Sequence, residues 1–324
     1  MDRDAGTRRR QVLGHLLGQG LALGSAWAAA ALGGCTTTTT PGGVPIDTRH
    51  TSRGQDSRVL FLVIHYTVAD LPMAIKILTE NEVSAHYVLT DEPAPRIFRL
   101  VPEERRAWHS GPSAWKGHRL LNASSIGIEI VHRGFRIGPD GERIYLPFPQ
   151  AQIDALIPLV KDIVARHEIR PERILGHGEV SPQFKQDPGP TFPWRLFSEL
   201  GITPPWPDAI RVTAQQALFE AQPGGLPDVP WFQEMLAQHG YAIEKTGQLD
   251  TQMRNVLMNF QMRYRPARYD GLPDAESAAL LWVLNNPMPG LPALPLPAPP
   301  ALPAPPAPPA RPASPPPAVP VLPA

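Results

Sequence analysis

Cysteine is almost absent from this chain. Cys35 is the single thiol in 324 residues, which excludes an internal disulfide and any zinc site assembled from several thiolates. An excess of either charge is also lacking: 30 basic residues balance 30 acidic ones. Without a basic footprint, nucleic acid is not an expected partner. Proline, by contrast, is abundant, with 42 residues. Much of it lies in residues 287–324, a stretch of little but proline, alanine and leucine. Proline removes backbone donors and fixes φ, so this segment reads as an extended, disordered tail.

The lone cysteine has an informative position. Residues 8–10 are Arg-Arg-Arg, residues 12–34 form an apolar run rich in glycine and alanine, and Cys35 follows. That order describes an export signal rather than a fold element. LGGC at 32–35 resembles a bacterial lipobox, which implies cleavage after residue 34, lipidation of Cys35 and a membrane anchor. RRQVL at 9–13 also resembles a twin-arginine signal, weakly. TTTTTPGGVP after the cysteine is too polar to pack and reads as a flexible tether over residues 35–46.

The remaining length accommodates one medium domain and a small one. VLFLVI at 59–64 is a continuous apolar run, the pattern of a strand buried on both faces, and His65 follows it. LPMAIKILTEN has apolar residues at helical spacing, and SAHYVL at 84–89 reads as a strand carrying His86. In IGIEIV at 126–131 the isoleucines share one face while Gly127, Glu129 and Val131 share the other. A carboxylate in so apolar a strand would lose much hydration, unless it lies on an edge facing water. A long amphipathic helix through Ile153 and Ile163 comes next, and RILGH brings His177 to another strand end. Alternating strands and helices predict an α/β domain with a mixed central sheet flanked by helices.

The stretch GHGEVSPQFKQDPGP at 176–190 places His177, Lys185 and Asp187 on one proline-braced loop. His65, His177 and Asp187 could form a three-ligand zinc site with an open position, suited to hydrolysis. Spacing alone does not separate this from two structural histidines.

Five ordered segments, VIHYT at 63–67, SAHYVL at 84–89, AWHSG at 107–111, NASSIGIEI at 122–130 and GHGEVSPQFKQDPGPTFPW at 176–194, resemble the zinc-dependent N-acetylmuramoyl-L-alanine amidases of the type 2 family. The likeness spans roughly residues 45–205 and implies the mixed-sheet fold. It also implies Zn2+ on His65, His177 and Asp187, with cleavage of the amide between muramic acid and L-alanine in peptidoglycan or muropeptides. It assigns Glu129 as general base toward the attacking water and Lys185 as partner of the developing oxyanion. His109, Trp115 and Asn122 become substrate-binding residues of the cleft, and His86 a supporting group. The pattern departs at Ala85, where some relatives carry tyrosine, at Gly178 and Glu179 after the loop histidine, and at Phe184 in place of arginine before the lysine. The rival reading is a recognition protein that keeps this fold, loses the metal and only holds cell wall; the complete ligand set argues against it.

Residues 206–286 carry short amphipathic segments marked by Ala217 and Leu218, Trp231 and Leu236, Val256 and Phe260, and Leu280 and Leu284. They resemble a small helical peptidoglycan-binding domain following the catalytic domain at 47–205. With the lipobox, the layout resembles the outer-membrane lipoprotein members of the amidase family. It implies a monomer in the cell envelope, facing the periplasm.

Overall fold

A computed structural model describes residues 37–222 and 225–287. The export segment, Cys35 and the proline-rich tail from residue 288 onward lie outside the described residues. Residues 37–47 are not a plain tether: Thr37–Thr39 pairs antiparallel with Pro45–Asp47 as a fully exposed hairpin. Its turn includes Gly43 at φ +81°, where a side chain would be strained.

The catalytic fold is built on five strands, β1 (Phe61–Tyr66), β2 (Tyr87–Leu89), β3 (Ile97–Arg99), β4 (Ser125–Ile130) and β5 (Ile174–Gly176). Their order is β5-β1-β4-β2-β3. All neighbours run parallel except β3, which pairs antiparallel with β2, so the sheet is mixed, as the sequence predicts. The connections include two helices, α1 (Leu71–Glu80) and α2 (Gln150–His167). Asp70 caps α1 by accepting from the Met73 N–H at 3.1 Å, satisfying one of the free donors of a helix start.

Period-2 alternation sorts the two faces of β1 and β4. Leu62, Ile64, Ile126, Ile128 and Ile130 pack against Leu156, Val160 and Ile163 of α2. Each such fully buried aliphatic contributes about 1.5–3 kcal/mol relative to exposure. The opposite face presents Phe61, Val63 and His65 from β1, and Ser125, Gly127 and Glu129 from β4.

Beyond two short helices at His177–Val180 and Trp194–Glu199, the described residues form four longer ones, α3 (Ala209–Ala221), α4 (Val229–His239), α5 (Thr251–Tyr264) and α6 (Ala275–Asn285). Each starts on an aspartate whose side chain accepts a backbone N–H three residues on: Asp208, Asp228, Asp250 and Asp274. In α3 the buried residue is Phe219, while Ala217 and Leu218 face solvent; the expected apolar stripe is displaced by one position. The helical region is not a separately cored unit. Phe61, Val63, Leu175 and Val180 share one continuous core with Phe232, Leu236, Val256 and Phe260. No helix among the described residues is long and apolar enough to cross a membrane.

Candidate metal centre and active site

Parallel register brings the distant histidines together. Gly176, the last residue of β5, lies beside Ile64 of β1, so the residues that follow them, His177 at the start of a short helix and His65 within β1, come side by side. His65 Nδ1 lies 2.9 Å from His177 Nδ1, and Asp187 Oδ2 lies 3.2 Å from each. All three residues are buried. Tetrahedral zinc with ligands at about 2.0–2.1 Å needs neighbouring ligand atoms about 3.3 Å apart, so the triangle fits that ion closely. Burial alone would raise the Asp187 carboxyl; the charge and hydrogen bonds of His177 and His65 overcome it and hold the group below the usual carboxylate range. His65 is held down to about 4, first by burial and then by the neighbouring His177, so its imidazole is neutral at physiological pH.

The tautomer of His65 can be derived. Ser125 Oγ donates to the Leu121 carbonyl at 2.6 Å, and so accepts from His109 Nε2 at 3.0 Å. His109 is itself held neutral, well below its ordinary pKa, by burial and by the surrounding histidines. Its Nδ1 therefore carries a lone pair and accepts from His65 Nε2 at 3.0 Å. That leaves His65 Nδ1 unprotonated, with its lone pair aimed into the triangle. An imidazole ligand oriented through its other nitrogen is a recurring feature of metal sites. The packing requires Gly127, because a Cβ there would fall 2.4 Å from the His109 ring.

Glu129 stands directly opposite His65 in the β1–β4 register. One of its carboxylate oxygens is buried without a hydrogen-bond partner. Burial first, and the charge of Asp187 second, push it up to about 8, with Lys185 working in the opposite sense. A carboxyl with its folded pKa above the ordinary 4.5 costs no stability below that value, and destabilises increasingly as pH climbs toward 8. Metal-free Glu129→Gln is therefore expected to be more stable than the metal-free parent at pH 8. The gain is on the order of 2–3 kcal/mol after discounting residual solvent contact, and the gap closes by about pH 4.5. Thermal melts of the two stripped proteins across that range check it, and equal melting temperatures at pH 8 would count against a strained carboxylate.

A cleft of about 450 Å³ opens onto this cluster, with His109, Glu129, His177, Lys185 and Asp187 in its walls. Sequence reasoning passed over Trp108 and Phe184, which line the same cleft although they are 50% and 72% exposed. The signal available in the chain was their place beside motif residues, Trp108 before His109 and Phe184 before Lys185. His109 takes part in the wall but acts chiefly as the support of His65. Two expected cleft residues lie elsewhere. Trp115 is buried against the helical region, its Nε1 donating to the Glu172 carbonyl at 3.2 Å and its ring meeting His239 and Tyr241 edge-on. Asn122 turns its Oδ1 toward the backbone N–H groups of His109 and Ser110, at 3.1 and 2.8 Å, and so braces the loop that carries His109. His86 is a supporting group as expected, accepting from the Gly127 N–H at 3.0 Å.

Residues 55–190 match the family described as N-acetylmuramoyl-L-alanine amidase, and residues 226–281 match the putative peptidoglycan binding domain. The chain is 43% identical over 243 residues to the N-acetylmuramoyl-L-alanine amidase AmiD of Escherichia coli strain K12, covering 74% of this chain and 86% of the relative. The chain belongs to the type 2 N-acetylmuramoyl-L-alanine amidase family. The 1,6-anhydro-N-acetylmuramyl-L-alanine amidase AmpD of Enterobacter cloacae is 34% identical over 107 residues, 33% of this chain and 52% of that protein. Among solved structures, E. coli AmiD in complex with the substrate anhydro-N-acetylmuramic acid-L-Ala-D-gamma-Glu-L-Lys superposes with a TM-score of 0.68 at 41% identity, covering 77% of this chain and 96% of that one. AmpDh3 of Pseudomonas aeruginosa in complex with anhydromuramic pentapeptide gives a TM-score of 0.67 at 37% identity, covering 74% and 97%. The mixed sheet is the fold of this amidase family, and the helical region that follows it contains the peptidoglycan-binding match.

Proposed function

We propose that this amidase holds zinc on His65, His177 and Asp187 and uses it to hydrolyse the amide between the lactyl group of N-acetylmuramic acid and L-alanine in peptidoglycan or muropeptides. The observation that carries the reading is the buried triangle of two imidazole nitrogens and one carboxylate oxygen at 2.9–3.2 Å, set on the wall of a cleft beside a strained carboxylate. Zinc bound there supplies Lewis acidity and a water of lowered pKa. Glu129 takes the proton of the attacking water and delivers it to the departing nitrogen of L-alanine. The ammonium of Lys185 meets the negative charge that develops on the lactyl carbonyl oxygen. Trp108 and Phe184 offer apolar faces to the sugar at the rim of the cleft.

The expected metal content is one zinc per chain, lost in His177→Ala. Muropeptides digested by the zinc-loaded protein should yield free stem peptides beginning with L-alanine in mass spectra. A reconstituted protein that neither holds zinc nor releases those peptides would return the chain to the class of cell-wall binders.

Residues 226–281 supply a second hold on peptidoglycan and keep the catalytic cleft near its polymer. Cys35, at the end of the apolar export segment, is the proposed site of lipid attachment. It would anchor a monomeric enzyme in the cell envelope facing the periplasm, on the outer membrane because Thr36 and Thr37 carry no acidic retention signal. Labelled palmitate is expected to enter the wild type and not Cys35→Ser. A wild type that never takes the label removes the anchor.

A further inference from the structure

Gly178 and Glu179, where the loop departs from the family pattern, both meet the helical region. Glu179 Oε2 accepts from Arg263 Nη1 of α5 at 2.6 Å and from the Gly176 N–H at 2.8 Å. The two charged side chains are each 5% exposed. Arg263 lies with its guanidinium 4.0 Å over the Trp194 ring, and Nη1 also donates to the Ile174 carbonyl at 3.4 Å. At Gly178 an added Cβ would fall 2.0 Å from Asn259 Oδ1, so the absence of a side chain there makes room for α5. Asn259 Nδ2 in turn donates to the Lys185 carbonyl at 3.3 Å, and the Gln186 amide reaches Met258 Sδ at 3.7 Å. The helix therefore touches residues on both sides of His177 and the two residues immediately before Asp187.

A buried ion pair contributes little net stability, because desolvation offsets most of the attraction, whereas removing one partner leaves an uncompensated charge. Such a pair is better suited to fixing one geometry than to strengthening the fold. We propose that α5, a helix of the peptidoglycan-binding domain, is a structural part of the metal centre, and that Arg263 and Asn259 are positioning residues that hold the 176–187 loop where His177 and Asp187 converge on His65. Arg263 acts through Glu179 and the Gly176 N–H at the start of the loop. Asn259 acts through the Lys185 carbonyl near its end. The inference rests on those three residues being the zinc ligands.

The test uses the full-length protein and zinc itself, with affinity measured by competition against a chelator. Supports behind metal ligands typically govern affinity by about 10–100-fold. Asn259→Ala and Arg263→Met are expected to weaken zinc binding by at least about tenfold. Faster amide hydrogen exchange at Gly178 and Lys185 in the metal-free state should accompany that loss. Phe232→Leu, which softens the helical core without removing any hydrogen bond to the loop, is expected to lower the melting temperature and leave zinc affinity unchanged. If Arg263→Met fails to fold, Asn259→Ala decides alone. Wild-type zinc affinity in Asn259→Ala, or an equal loss in Phe232→Leu, overturns the proposal. Wild-type protein that binds no zinc would instead overturn the ligand assignment, so the two failures are distinguishable.

Discussion

Glu129→Gln retains zinc and fold and loses at least about a hundredfold in turnover. The amide is nearly the same size as the carboxylate, and the native group has an oxygen buried with no partner, so the substitution creates neither cavity nor clash. What it removes is a site for the proton of the attacking water. General-base catalysis contributes on the order of 10²–10⁴ in rate, and the effect should fall on kcat with KM little changed. The raised pKa, about 8, is what a base needs if it is to hold that proton and then release it to the leaving amine. Steady-state kinetics on a defined muropeptide, with zinc content measured on the same samples, gives the answer. Near-normal turnover in a zinc-replete variant moves the base elsewhere.

Lys185→Ala is expected to bind zinc and substrate nearly as the parent does and yet to turn over slowly. Its side chain is exposed and lines the cleft, and its charge acts on both His65 and Glu129. A bystander lysine on a surface loop would tolerate alanine within about 0.5 kcal/mol of stability and leave activity alone. A group that meets charge only once the carbonyl oxygen has become negative raises the barrier by roughly 3–4 kcal/mol when removed. Lys185→Arg should recover part of that loss, because the guanidinium is broader and differently hydrated. Full turnover of the zinc-loaded alanine variant would leave the loop with the single task of placing Asp187.

Much of this architecture is written locally. The apolar runs at 59–64 and 126–131 become β1 and β4, because continuous or alternating apolar patterns fix strands and their faces; β1 is shifted by two residues, so that His65 lies inside the strand rather than after it, and β4 by one. Glu129 was conspicuous for the same reason, as the one carboxylate in an isoleucine-rich strand. Asp208, Asp228, Asp250 and Asp274 mark four helix starts, each by a cap formed within four residues. The contacts that were not legible are the distant ones. His109 is set 44 residues from His65, and nothing near it announces that its ring bridges a metal ligand and a serine. Trp115 looked like a cleft aromatic, but which side of a loop faces solvent depends on the helical region more than 110 residues on. Leu218 failed because an apolar residue beside Phe219 gives no sign of which of the two the core will take. Gly178 and Glu179 looked like losses of pattern in the catalytic loop; their partners, Asn259 and Arg263, belong to another part of the chain.

The hydrogen-bond chain from His65 through His109 and Ser125 to the Leu121 carbonyl also bears on competition between ions. For a histidine site the proton is the commonest rival of a metal, and each step of acidification ordinarily favours the rival. Here the direction of every link is set at the far end by a carbonyl that can only accept, so His65 Nε2 keeps its proton and the lone pair stays on Nδ1, among buried histidines and 3.2 Å from the Asp187 carboxylate. Burial first and His177 second hold the pKa of His65 down to about 4, although Asp187 works in the opposite sense. A ligand nitrogen held in this way stays unprotonated over a span of acidity in which an ordinary histidine has already taken its proton.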